Sequence, residues 1–362
     1  MGWIGLGDHD GGRFDARGLS CAEPNTPQVA TGDVAARGTL LIETYISPEG
    51  RPQTLLEFER THPWSGQVSI QVVPSGGIVL VEALGDDVRH AAVMHDLDGR
   101  SDQLRVSYSW DAPGRWGRLA LEHLSQGRIY NRVMPPPHPI QMDDLRMITR
   151  YPTRRTMDAD VAFMAVSDQV EPLGPMPGLT SHVPVATPHG DVPVGRLKRG
   201  DTVLTSAGEI VPILHTVRQT LPARGSLRPV RLRAPYFGLK RDILVAPHQR
   251  LVIGGSQVEY MFGTEAALVP SRHLVNGTSA FYADGPDLVT YHHLLLPGHQ
   301  VLLAAGCPVE SLYIGRLRRD PTALRASVLA GFDRARLPEH PRPIWPVLKP
   351  FEAVTLAMVR AA

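Results

Sequence analysis

Cysteine is nearly absent: Cys21 and Cys307 are the two in 362 residues. They lie far apart and fit no metal or redox spacing, which removes a disulfide framework and a thiolate metal site. Both read as unpaired thiols. Lysine is nearly absent too, with Lys198, Lys240 and Lys349 alone among 37 basic residues. Net charge is +1 and no basic stripe stands out, so no nucleic-acid partner is expected. No apolar run approaches the ~20 residues of a membrane span, so no membrane partner is expected either. The opening MGWIGLGDHDGG has no charged n-region and no apolar h-region. Leu6 stands where a myristoylation motif wants Ser or Thr. The expectation is a cytoplasmic protein, or one exported without a recognisable signal peptide. Composition does not address oligomeric state.

Glycine and proline are what the chain has in excess, 34 and 33 residues. With hydrophobic residues at 43%, that describes many short strands joined by tight turns. Residues 1–38 are Gly-rich and read as irregular. Strand-like runs then follow at 39–46, 53–60, 67–73, 77–84, 103–110 and 117–124, each bounded by turn residues. This predicts a β-sandwich or jelly roll over 39–170, with DVAFMAV (160–166) as a further strand. EPLGPMPG cannot sit in a central strand, because proline has no N–H for the ladder. Residues 171–177 therefore read as a linker. A second β-rich segment spans 178–315. A tail over 316–362 carries two helix candidates. In PTALRASVLAGF (321–332), Leu324, Val328 and Leu329 share one face, Asp320 is a fitting N-cap, and Pro321 stands at the first helical position. PFEAVTLAMV is the other candidate.

The residues themselves nominate little chemistry. Fifteen histidines include three in HHLLLPGH (292–299), but no carboxylate lies among them, so no metal site is expected. No G-x-S-x-G elbow occurs. Ser181 and His182 are adjacent, yet neighbours on a strand point to opposite faces. No carboxylate pair is isolated for glycoside hydrolysis. Gly85-Asp86-Asp87 and Asp96–Asp98 are acidic turns without the pattern of a calcium loop. Trp64, Trp110 and Trp116 are candidate platforms for a sugar ring, and no cofactor is implied.

The order TPHGDVPVGRLKRGDTVLT … PVRLRAP … RDILVAPHQRLVI … ALVPSRHLVNG … VTYHHLLLPGHQVLLAAGCPVESLYIG resembles the Hint domain, the β-rich module of inteins and of hedgehog autoprocessing regions, in its alphaproteobacterial form. The upstream SIQVVPSGG and LRVSYSWDAPGRWGRLALE resemble a concanavalin-like sandwich fused ahead of such domains. The fold expected is mainly β: an N-terminal sandwich, an all-β Hint-like domain, then short C-terminal helices. The resemblance implies self-processing. A cysteine opening the domain attacks the preceding carbonyl, while a T-x-x-H segment orients the amide and protonates the leaving nitrogen.

Carried over by position, the nucleophile is Gly178. The T-x-x-H threonine is Ala246, and its histidine is Gln249, one residue beyond His248. A late D-R-H-E set becomes Pro297, Gly298, His299 and Gln300. The resemblance thus implies a Hint fold that has lost its reaction and serves as a binding or structural module, with a glycan or protein ligand on the sandwich. The alternative is an N-to-O acyl shift by Thr180 or Ser181, with His182 or His248 as base.

Overall fold

The computed structural model describes the chain except residues 1, 21–32, 48, 63, 75–76, 95–102 and 362. Cys21 and the Asp96–Asp98 turn lie outside the described residues. The chain divides into two compact units, Met1–Glu171 and Pro172–Ala362. No helix among the described residues is long and apolar enough to cross a membrane.

The first unit runs β1 (Trp3–Asp8), β2 (Gly11–Phe14), β3 (Val34–Ala35), β4 (Arg37–Tyr45), β5 (Gln53–Arg60), β6 (Gly66–Val73), β7 (Gly77–Leu84), β8 (Asp87–Met94), β9 (Gln103–Asp111), β10 (Trp116–His123), β11 (Arg128–Met134), β12 (Ile140–Gln141), α1 (Met142–Arg150) and β13 (Val161–Ser167). A seven-stranded antiparallel sheet, β11-β10-β9-β4-β13-β1-β2, faces a four-stranded one, β5-β6-β7-β8. Alternation builds the core between them. Ile42, Val106 and Leu121 align across three strands of the large sheet, while Leu56, Ile70, Leu80 and Ala91 align across the small one. All seven join one buried cluster, the expected arrangement of a β-sandwich.

Residues 1–38 are not wholly irregular. β1 pairs with β13 and β2, so the N-terminal run completes the large sheet. Its glycines permit this. A Cβ on Gly7 would stand 2.7 Å from the Thr149 carbonyl, and one on Gly12 2.4 Å from it. They are strand residues over which α1 lies closely, not loop residues. β8 and β11, absent from the sequence reading, add one edge strand to each sheet.

The second unit runs β14 (Leu179–Thr180), β15 (Pro184–Thr187), β16 (Gly190–Pro193), β17 (Thr202–Leu204), β18 (Ile210–Pro212), β19 (His215–Pro222), β20 (Val230–Leu232), β21 (Ile243–Val245), β22 (Arg250–Gly254), α2 (Ser256–Phe262), β23 (Ala266–Pro270), β24 (Ala280–Tyr282), β25 (Leu288–Leu295), β26 (Val301–Ala304), β27 (Cys307–Glu310), α3 (Pro321–Ala326) and α4 (Pro350–Ala361). Two six-stranded sheets, β19-β25-β14-β21-β20-β24 and β16-β15-β26-β27-β22-β23, enclose one large core. β14 is short but central, paired with β25 on one side and β21 on the other.

Two expectations change here. The stretch 171–177 is not a free linker: Leu173 and Pro177 are buried, and the Leu173 N–H donates to the Ala326 carbonyl at 2.7 Å. Nor does helix run across 321–332. Asp320 caps α3, accepting from Thr322 and Ala323 N–H, but the helix ends at Ala326. There the Ser327 hydroxyl accepts the Leu329 N–H at 3.1 Å, a local bond that competes with the helical one. Leu324 and Leu329 still reach a shared satellite core with Val217 and Leu295. α4 likewise contributes Ala353 and Leu356 to the main core, so residues 316–362 are part of the second unit rather than a tail.

Candidate functional site

The position that opens the second unit's sheets is Gly178, just ahead of β14. The β21–β22 connection lies against it. Ala246, Pro247, His248 and Gln249 make a tight turn, with Gln249 N–H donating to the Ala246 carbonyl at 2.9 Å and proline at its second position. Ala246 N–H donates to the Gly178 carbonyl at 2.7 Å. Ser271, fully buried, holds the turn from behind: its hydroxyl donates to the Ala246 carbonyl and its N–H to that of Gln249. The backbone of the site is thus built and bonded throughout.

Its side chains are another matter. Ala246 is buried and offers no hydroxyl. Gln249 is fully buried, its Nε2 donating to the carbonyls of Arg250 (3.1 Å) and Glu310 (3.4 Å). Its Oε1 is buried with no hydrogen-bond partner among the described residues. That amide lies where a side chain at 178 would be. A Cβ on Gly178 would meet Gln249 Oε1 at 2.1 Å, Cδ at 2.9 Å and Cβ at 3.0 Å. Gly178 does not adopt the left-handed backbone region, so conformation does not demand glycine here. Space does. His248 turns the other way: half-buried, its Nε2 reaches the Met176 carbonyl at 3.3 Å.

Behind Gln249 runs a buried polar chain. The Glu310 carbonyl accepts from Gln249 and from His293 Nε2 at 3.0 Å. Burial pulls the His293 pKa down, against hydrogen bonds to the Glu310 and Met176 backbone that raise it. The Glu310 carboxylate pairs with Arg250 (3.0 Å) and His299 (3.3 Å). Burial pushes this carboxyl up, but the His299 hydrogen bond and the Arg250 charge outweigh it and hold it below its ordinary range. His299 Nδ1 also accepts the Ile344 N–H at 3.0 Å. Cys307 is 1% exposed, and burial raises its thiol to about 12, too high to supply a thiolate near neutrality.

Thr180, Ser181 and His182 do not converge. Thr180 Oγ1 donates to the Leu244 carbonyl at 2.9 Å, and His182 is exposed. Ser181 does find an imidazole, but it belongs to His292: Oγ and Nε2 are 3.0 Å apart. Burial, then the nearby Arg218, lowers the His292 pKa, which keeps the ring neutral and able to accept a proton at pH 7. The Val183 N–H donates to the Thr180 carbonyl at 3.0 Å. The imidazole beside Ser181 is therefore that of His292, not of His182 or His248. His292 and His293, side by side in sequence, serve opposite faces of β25, which separates them chemically. Both His292 and Glu310 lie in the stretch that carries the Hint resemblance. Their partners come from other strands, so no spacing along the chain could reveal them.

In the first unit, Trp110 is no sugar platform. It is fully buried, with Nε1 donating to the Ala35 carbonyl at 2.7 Å. Trp116 is half-buried, with the Arg118 guanidinium 6.0 Å from its ring centre. Trp64, 67% exposed, stands at the rim of a cleft of about 170 Å³. Phe58 and Ile148 are among its apolar lining, and its polar lining is Arg60 paired with Asp144 (2.5 Å), Gln67, Glu82, His138 and Gln141. Glu82 is already engaged, accepting from Tyr108 Oη at 2.6 Å and from the His138 N–H at 3.1 Å. Burial lifts the Asp144 carboxyl to about 6 despite the opposing Arg60 charge.

The sequence model of the Hint domain family matches residues 177–316. No curated protein matches the chain. Among solved structures, it is similar to the MchDnaB-1 intein at 15% identity and a TM-score of 0.26, over 36% of this chain and 98% of that one. It is similar to the CBM40 of Ruminococcus gnavus IT-sialidase at 13% identity and a TM-score of 0.27, over 37% and 76%. The LG1-3 region of the laminin alpha2 chain gives 9% identity and a TM-score of 0.28, over 80% and 55%. The family match makes residues 177–316 a Hint-type module, and the strand pairing makes the first unit a β-sandwich.

Proposed function

We propose that this Hint-type module does not perform the cysteine acyl shift, and that the chain acts as a binding or structural module. The observation that carries the reading is the Gln249 side chain in the space a residue-178 side chain would need. A missing nucleophile by itself leaves an open socket. Here the socket is filled, by the residue at the position where the resemblance would have the histidine that protonates the leaving nitrogen. The hydroxyl that would orient the amide is absent as well, at Ala246. Binding falls to the sandwich, in the cleft beside Trp64. An exposed indole next to an Arg–Asp pair suits a hydroxylated ring such as a sugar. The test is an intact mass of the purified chain. One species at the full 39.6 kDa, unchanged by thiol or hydroxylamine, is expected. Two fragments dividing between Pro177 and Gly178 would sink the proposal.

A second reading rests on the Ser181–His292 contact. Ser181 Oγ would attack the Thr180 carbonyl while His292 takes the hydroxyl proton and the Val183 N–H holds the carbonyl oxygen. The amide would become an ester at the Ser181 side chain, and the proton on His292 would pass to the freed amine. A serine hydroxyl is a weak nucleophile, and the contact also serves simply to satisfy two half-buried polar groups. Water adding to that ester carbonyl would then release Ser181 Oγ and divide the chain. Fragments dividing between Thr180 and Ser181, lost in Ser181→Ala, would establish this reading in place of the first.

A further inference from the structure

We propose that the outer face of α4, with the segment leading into it, pairs two copies of this chain about a two-fold axis. Apolar exposure is concentrated there. Ile344, Val347, Val354 and Val359 are 36% to 44% exposed, Phe351 66% and Met358 70%, all within sixteen residues. Tyr260, on the neighbouring helix α2, is 92% exposed.

The opposite face of α4 is spent: Ala353 and Leu356 are buried in the main core. What remains outward is Phe351, Val354 and Met358, spaced i, i+3, i+7, which is one stripe of a helix. Charge is sparse: between 344 and 359 only Lys349 and Glu352 are charged. Glu352 is turned back onto the helix start, accepting the Lys349 N–H at 2.7 Å. Covering this face would therefore desolvate little charge.

Its size suits a second copy. At roughly 150–250 Å² for a large aromatic side chain and somewhat less for an aliphatic one, the exposed fractions amount to about 700 Å² per copy. A specific interface buries about 800 Å² per partner. The stripe is also self-complementary. Two antiparallel helices crossing at Val354 and Thr355 would set Phe351 of one copy against Met358 of the other, and the reverse, about 10 Å apart along the axis. Sulfur and ring attract one another in that arrangement.

Sedimentation velocity of the full chain from 1 to 100 μM tests this. A monomer–dimer equilibrium is expected in that range, with Phe351→Glu and Met358→Glu each weakening it at least tenfold. Ile210→Glu, at an exposed apolar residue elsewhere in the unit, should leave it unchanged. In a Cys21→Ser background, Thr355→Cys should form a disulfide-linked dimer on oxidation, while Ala330→Cys should not. A chain monomeric at 100 μM, or one whose dimer survives both Glu variants, overturns the proposal. So does a monomer that floats with phosphatidylcholine vesicles through this face.

Discussion

Gly178→Ala adds one carbon atom to the centre of the candidate site, and the structure sets its cost. The new Cβ would lie 2.1 Å from Gln249 Oε1, far inside the contact distance of a non-bonded carbon and oxygen. Gln249 must move, yet it is fully buried, and its own Cβ stands 3.0 Å from the new atom. Forcing an extra carbon into a packed site costs about 1–3 kcal/mol. Swinging the amide away breaks its bonds to the Arg250 and Glu310 carbonyls, and buried groups left unpaired cost about 1–3 kcal/mol more. The total is about 2–6 kcal/mol. For a unit of this size each kcal/mol lowers the melting temperature by about 2–4 °C, so a drop near 10 °C is expected. Scanning calorimetry of the full chain should place that drop in the second unit's transition. Gln249→Ala removes the obstacle. The double variant should therefore recover about 1–3 kcal/mol relative to the sum of the singles. Gly178→Cys should behave like Gly178→Ala and stay uncleaved, because neither Ala246 nor Gln249 can orient the amide or protonate the leaving nitrogen. If Gly178→Ala melts with the parent, or the pair shows no coupling, Gln249 does not occupy the nucleophile's space and the reasoning fails.

Other outcomes follow from the same geometry. His340 is 2% exposed, and burial lowers its pKa from 6.5 to about 4. The folded pKa lies below the unfolded one, so this contribution is present above pH 6.5 and is lost as pH falls toward 4. The loss amounts to about 3 kcal/mol at most, and His340→Asn should flatten the fall of the second unit's melting temperature between pH 7 and 4.5. A parallel slope in the variant would refute this. Trp110→Ala should destabilise the first unit by about 3–5 kcal/mol, as expected for a fully buried aromatic. Trp64→Ala should change stability by less than about 0.5 kcal/mol yet abolish any binding detected on a glycan array. Binding unchanged in Trp64→Ala would remove the cleft as the recognition surface.

Much of the strand order was legible along the chain. The runs at 53–60, 77–84 and 103–110 alternate or concentrate β-formers between turn residues, and they form strands at those places. Asp320 and Pro321 mark the start of α3 for local reasons, and the cap geometry matches. The glycine-rich start was illegible because the need for glycine comes from α1, well over a hundred residues later. The end of α3 was misjudged because a serine hydroxyl competed with the helix where periodicity alone suggested continuation. Trp110 and Trp64 are the same residue type beside similar turns, and only the pairing of sheets makes one a core residue and the other a rim residue.

The sequence by itself determined which chemical groups are available. It places no side chain at Gly178, no hydroxyl at Ala246 and an amide at Gln249, and no folding can alter that. It also set the β-rich class, through the density of turns and alternating runs. Tertiary structure decided what stands next to what. It put the Gln249 amide into the Gly178 space, chose His292 over His182 for Ser181, and left one face of α4 uncovered. Those relations arise between strands far apart in sequence, where strand register and side-chain volume, rather than spacing along the chain, fix the distances.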